Sequence, residues 1–90
     1  MELLSENEIE RVLEWYAKDP GDELIGDEVL TTISLADLVA LFQPDPDEDP
    51  DLLLTYEVEP REVERLQEAV EHRIDLDAYD YFVAAYRKEA

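Results

Sequence analysis

No cysteine occurs anywhere in the chain. Disulfides, thiolate nucleophiles and zinc–thiolate sites are excluded together, and the absence fits a reducing compartment. Histidine is nearly absent as well: His72 stands alone, so no Cys–His or His–His pair can be assembled. The two glycines, Gly21 and Gly26, are too few for a glycine-rich phosphate loop. Basic residues number 7 against 26 acids, a formal charge of −19. Bare nucleic acid is not an expected ligand, because neutralising phosphates needs a basic patch. An anionic membrane surface is disfavoured by the same sign. The opening stretch, MELLSENEIE, carries no basic segment and no long apolar run. Neither a secretory signal nor a membrane span is expected, and the expected location is the cytoplasm.

Catalysis finds no foothold in these residues. Ser5 and Ser34 are better explained as helix caps than as nucleophiles. His72, between Glu71 and Arg73, reads as a surface or helix-end residue. Carboxylate pairs are so frequent that none stands out as a general acid and base. No catalytic residue, metal site or cofactor is assigned, and the chain is not expected to be an enzyme.

The rest of the composition describes a folded protein. Hydrophobic residues make up 46% of the chain, too many for a disordered acidic tail. Ninety residues make one domain, 1–90, that buries about 60–65% of its unfolded surface. So strong a charge imbalance costs stability through self-repulsion, so something outside the fold is expected to favour it.

The pattern along the chain supports an α+β domain. Residues 5–17 admit two readings. Ser5 and Glu8 suit a capping box ahead of helically spaced Ile9, Val12, Leu13 and Tyr16. Against this, KDPGDE with adjacent Pro20 and Gly21 is a strong turn signal, flanked by strand-favouring residues. The favoured reading is a β-hairpin, with strands near 10–18 and 23–31 and Gly26 at a bulge or close approach. Ser34 then caps a helix whose apolar face is Leu35, Leu38, Val39 and Phe42, stopped by Pro44. LLLTYEVE reads as a strand. Pro60 opens a second helix with Val63, Leu66, Val70 and Ile74 on one face, supported by the spaced pairs Glu62–Arg65 and Arg65–Glu68. Tyr79, Tyr81, Phe82 and Tyr86 suit a final strand. The expected fold is two-layered: a four-stranded, largely antiparallel sheet with two helices, in the order ββαβαβ.

One segment asks for its own account. QPDPDEDPD, residues 43–51, packs five acids and three prolines into one run. Asp45, Asp47 and Asp49 match the first ligand positions of a calcium-binding EF-hand loop. The pattern then fails where it is most demanding, with Pro50 in place of the turn glycine and Tyr56 in place of the closing glutamate. Three readings stay open: a weak, nonspecific calcium site, a proline-stiffened, solvated spacer, and a charged ridge for a basic partner. Tyrosines beside acids in DAYDYF are the usual makings of a contact with arginine-rich surfaces. The candidate partner-binding residues are therefore Asp45, Asp47, Glu48, Asp49 and Asp51 in the loop. Asp75, Asp77, Tyr79, Asp80 and Tyr81 form a second group near the C-terminus.

Taken together, GDELIGDEVL, LADLVALF, the acidic proline-containing loop, LLTYEV and IDLDAYDYFVAAY resemble a family of small acidic bacterial proteins. These are the immunity proteins of contact-dependent growth inhibition and related polymorphic toxin systems. The resemblance runs from about Val12 to Tyr86 and lies in spacing. It supplies no binding motif to carry over residue by residue. It implies a cytoplasmic inhibitor, monomeric until it binds one cognate basic toxin C-terminal domain as a 1:1 heterodimer, the toxin often being a nuclease. Two other readings of the acidity stand beside it: a nucleic-acid mimic that blocks a DNA- or RNA-binding protein, and a salt-adapted domain whose charge serves hydration.

Overall fold

In the computed structural model, residues 9–18 and 23–87 are described. The capping-box reading of Ser5 and Glu8 and the turn at Pro20–Gly21 lie outside them. The described order is β1 (Ile9–Ala17), β2 (Leu24–Val29), α1 (Leu35–Phe42), β3 (Tyr56–Glu57), α2 (Pro60–Gln67) and β4 (Tyr79–Arg87). The strands form one sheet ordered β2-β1-β4-β3. All three pairings are antiparallel, giving the two-layer α+β fold in the order ββαβαβ. No helix of the described residues is long and apolar enough to cross a membrane.

Alternation along β1 and β4 splits the sheet into two unlike faces. Leu13, Trp15, Tyr81 and Val83 point to one face and join Leu38, Phe42, Leu66 and Ile74 in the core. Leu13 and Val83 are fully buried there. Both helices contribute to this core. The other face carries Val12 opposite Val29 and Ala84, and Glu14 opposite Asp27 and Phe82. Tyr86 sits level with Glu10, yet its hydroxyl donates to the Glu14 carboxylate, and Tyr16 donates to the same carboxylate at 3.3 Å. Tyr86 must therefore reach past the intervening Val12–Ala84 position. That reach explains how Val12, Ala84 and Glu14 stay buried on a face without helices.

Gly26 proves to be the close approach its position suggested, next to a bulge. The β1–β2 register shifts between Trp15, paired with Gly26, and Tyr16, paired with Leu24, so Ile25 is the extra residue. Trp15 also lies across Gly26: a Cβ there would meet the indole Cζ2 at 2.6 Å.

α1 begins and ends as its sequence dictates. The Ser34 hydroxyl accepts the Asp37 N–H at 3.1 Å, and Gln43, left-handed at φ 51°, closes the helix ahead of Pro44. α2 is shorter than its apolar spacing predicts, ending at Gln67 instead of running to Ile74. The reason is competition for backbone groups. The Gln67 carboxamide donates to His72 O and accepts the Ile74 N–H, both at 2.8 Å. Glu28, on β2, accepts the N–H groups of Glu71 and His72. A continuing helix would have used those groups internally.

Of the expected pairs on α2, Arg65–Glu68 forms at 3.4 Å, and Arg65 also reaches Asp37 at 3.0 Å. Glu62 does not turn to Arg65. It is buried, accepting the Glu59 N–H at 2.7 Å and pairing with Arg61 at 2.5 Å.

Candidate partner-binding surface

The acidic run forms the connection from α1 to β3. Asp45 Oδ1 accepts the Asp47 N–H at 2.8 Å and the Glu48 N–H at 3.2 Å, a turn of the kind aspartate favours. Asp49 lies beneath that turn, 3% exposed. Its carboxylate accepts the Leu53 N–H at 2.7 Å, the Leu54 N–H at 3.1 Å and the Tyr56 hydroxyl at 2.5 Å. Burial pushes the Asp49 carboxyl upward, but the Tyr56 hydroxyl, the two N–H groups and the nearby Arg11 charge outweigh it, leaving it below the ordinary value. Desolvation and the Asp49 charge push the Tyr56 hydroxyl up to about 12. Arg11, buried on β1, donates from Nη2 to Asp51 O at 2.7 Å and fastens the loop to the sheet.

This geometry changes the reading of LLLTYEVE. Only Tyr56 and Glu57 form a strand, because the Leu53 and Leu54 N–H groups are taken by Asp49. Leu52 is left-handed at φ 54° and fully buried. That backbone conformation costs about 1–2 kcal/mol, and burying a leucine side chain returns about 1.5–3 kcal/mol. Leu53 and Leu54 are turned out to solvent, 51% and 58% exposed. The carboxylate that organises the loop is thus unavailable to a partner. Asp45, Asp47, Glu48 and Asp51 stay exposed.

The C-terminal group divides the same way. Asp75 opens the turn into β4: its Oδ1 accepts the Asp77 N–H, and its carbonyl accepts the N–H groups of Ala78 and Tyr79. Asp75 and Asp77 are exposed, and Asp80 pairs with Lys18 at 2.9 Å. Tyr81 is 1% exposed and belongs to the core, not to the surface. Its hydroxyl accepts the Asp75 N–H at 2.9 Å and lies 2.6 Å from His72 Nε2. The Asp75 N–H is a fixed donor, so the hydroxyl's own hydrogen is free to bond an acceptor Nε2. Burial pushes the Tyr81 hydroxyl upward.

His72 is not the surface residue its neighbours suggested. Its ring stacks on Trp15, centroids 3.8 Å apart and planes within 9°. Glu28 and Gln67 hold its backbone in place, and Tyr79 and Tyr81 flank the ring. Trp15, His72, Tyr79 and Tyr81 form one aromatic cluster under the C-terminal acids.

The two acidic groups do not merge into one patch. Arg11 fastens the loop near one end of β1, and Lys18 meets Asp80 just past the other. At about 3.3 Å per residue, Arg11 and Ala17 stand roughly 20 Å apart along the strand. Between Lys18 and the start of α2 lies a shallow cleft of about 200 Å³, with Tyr79 and Asp80 in its wall. Glu57 and Glu59 line it too, and neither had been singled out in the sequence.

Fold and surface together describe a small acidic α+β domain with two separate groups of exposed carboxylates. The chain belongs to the family described as a domain of unknown function (DUF7683), whose model matches residues 10–84. No curated protein matches it.

Proposed function

We propose that this domain is a binding protein for a basic protein domain. More narrowly, we propose an immunity protein that neutralises one cognate basic toxin domain, a nuclease by preference, in the cytoplasm as a 1:1 heterodimer. The carrying observation is the loop 43–51. A buried carboxylate fixes its path while Asp45, Asp47, Glu48 and Asp51 face solvent. A rigid acidic surface suits a site shaped for phosphates, because both present anionic oxygens at fixed positions. The formal charge of −19 points the same way, as does the resemblance in spacing to immunity proteins. Complementary charge of this size chiefly speeds encounter, with association rates up to roughly 10⁸–10⁹ M⁻¹s⁻¹ at low salt. Neither catalysis nor a cofactor forms part of this reading.

The test mixes the purified chain with the C-terminal domain encoded by the gene immediately upstream. One equimolar complex that persists at moderate salt, with loss of the toxin's activity, supports the reading. Failure to bind that domain, alongside salt-sensitive retention of many basic proteins, points instead to a nucleic-acid mimic.

A further inference from the structure

We propose that the cleft beside Tyr79 and Asp80 is a seat for an arginine side chain of the partner. This rests on the partner being basic, and it adds where one of its charges is bound and by what chemistry.

The cleft exists because β3 is only two residues long. Its ladder with β4 runs through Tyr56–Val83 and Glu57–Phe82, and Val58 N–H donates once more to Tyr81 O at 2.9 Å. The chain then leaves the sheet for α2 at Pro60. Among the described residues, the Tyr79–Asp80 end of β4 has no strand beside it on that edge. Alternate carbonyls of a strand share a side, so Tyr79 O faces the same edge as Tyr81 O. The vacated space is the cleft.

Its lining has three components. Glu57, Glu59 and Asp80 supply carboxylates. Tyr79 supplies an aromatic ring held in place by edge-on contact with Tyr81. Val58, Pro60 and Leu76 supply an apolar wall. Lys18 lines the mouth but pairs with Asp80, and among the described residues no ion pair reaches Glu57 or Glu59. Among the described lining residues, three carboxylates stand against one ammonium, two negative charges in excess.

By strand alternation Glu57 and Asp80 belong to the helix-free side of the sheet edge and Tyr79 and Val58 to the core side, so an arginine side chain lying across that edge uses all three components. Its planar guanidinium takes carboxylate oxygens in pairs and stacks on an aromatic face, while its methylene stem lies along apolar surface. A metal ion has no use for the ring or the apolar wall. A lysine would use the charge but not the planar, paired geometry.

The experiment is a titration of the ¹⁵N-labelled full chain with N-acetyl-arginine amide at constant ionic strength, followed by amide shifts. Parallel titrations use the lysine analogue and the neutral, near-isosteric citrulline analogue. Saturable shifts at Val58, Glu59, Tyr79 and Asp80 are expected with arginine, and with citrulline at least about tenfold weaker. Glu57→Gln and Tyr79→Ala should each weaken arginine binding several-fold. Lys18→Gln, which releases Asp80, should strengthen it, an effect that damage to the fold would not produce. Equal binding of all three analogues, or no saturable shift at the cleft, overturns the proposal. Equal binding of lysine alone overturns the choice of guanidinium. Shifts confined to residues 45–51 remove the cleft while leaving a basic partner in place, whereas failure of the upstream toxin domain to bind is read in a separate assay.

Discussion

The Tyr56 hydroxyl donates to Asp49 across 2.5 Å, and this bond joins the end of the acidic loop to its middle. Asp49 also receives two backbone N–H groups and lies near the Arg11 charge. Replacing it by alanine removes the charged acceptor of three part-buried hydrogen bonds. Asp49→Ala should therefore cost about 3 kcal/mol. Tyr56→Phe, which removes one of several bonds, should cost about 1 kcal/mol. Denaturant unfolding followed by Trp15 fluorescence measures both, and equal losses would show that the hydroxyl alone organises the loop.

The same pair sets two limits in pH. The Asp49 carboxyl is held below its ordinary value when folded, so its contribution is present above that value and is lost as acid protonates the folded state. The Tyr56 hydroxyl is raised to about 12, so its contribution is complete below the ordinary 10.0 and is lost between there and about 12. Tyr86, hydrogen-bonded to Glu14, is raised to about 12 as well. A tyrosinate absorbance titration of the folded protein should accordingly run late. Tyr56→Phe should remove part of the late phase, and a titration centred at the ordinary value would contradict the loop geometry.

Gly26 is needed for the space above it. Gly26→Ala places a methyl where the Trp15 indole lies, and His72 stacks on that indole. The expected loss is about 1–3 kcal/mol. In a Trp15→Phe background the same change should cost less, because the indole edge it meets is gone. Additive losses in the double variant would show that the two residues do not compete for space.

On the proposed reading, the exposed loop acids act on encounter, not on folding. Changing Asp45, Asp47, Glu48 and Asp51 to lysine should slow association with the proposed toxin partner and flatten its salt dependence. Dissociation should change less. Stopped-flow association at several salt concentrations measures this. Unchanged rates would make the loop a spacer.

Charge repulsion also leaves a signature without any partner. With 26 acids against 7 bases, moderate salt should raise the melting temperature through screening. A protein unfolded at ordinary ionic strength and folded only in molar salt would favour the salt-adapted reading.

Local signals made the helix starts readable. Ser34 caps α1 through its own side chain, and Pro60 begins α2, both signals lying at the helix starts themselves. The two-glycine economy made Gly26 conspicuous, and it proved to be a close approach beside a bulge at Ile25. What the sequence concealed depends on distant partners. His72 looks like a helix surface residue because Trp15, Glu28 and Tyr81, which define its environment, lie on three different strands. Three consecutive leucines look like a strand because nothing local reveals that Asp49 takes two of the N–H groups. Asp49 sits among exposed acids and Tyr81 between half-buried Tyr79, Asp80 and Phe82, so burial alone separates the two from the candidate contact residues. The cleft arises where a strand ends early, and Glu57 and Glu59 are unremarkable until that ending is seen.

Glu28 has a consequence for how the molecule opens. It sits on β2, an edge strand paired only with β1, and accepts N–H groups from Glu71 and His72 in the connection to β4. An edge strand is ordinarily the first part of a sheet to fray. Here fraying must also release the segment that carries His72, and with it the stack on Trp15. Opening of the hairpin edge and loosening of the aromatic cluster are thereby coupled into one event, so slow exchange should extend to β2 amides that an edge position alone would leave unprotected.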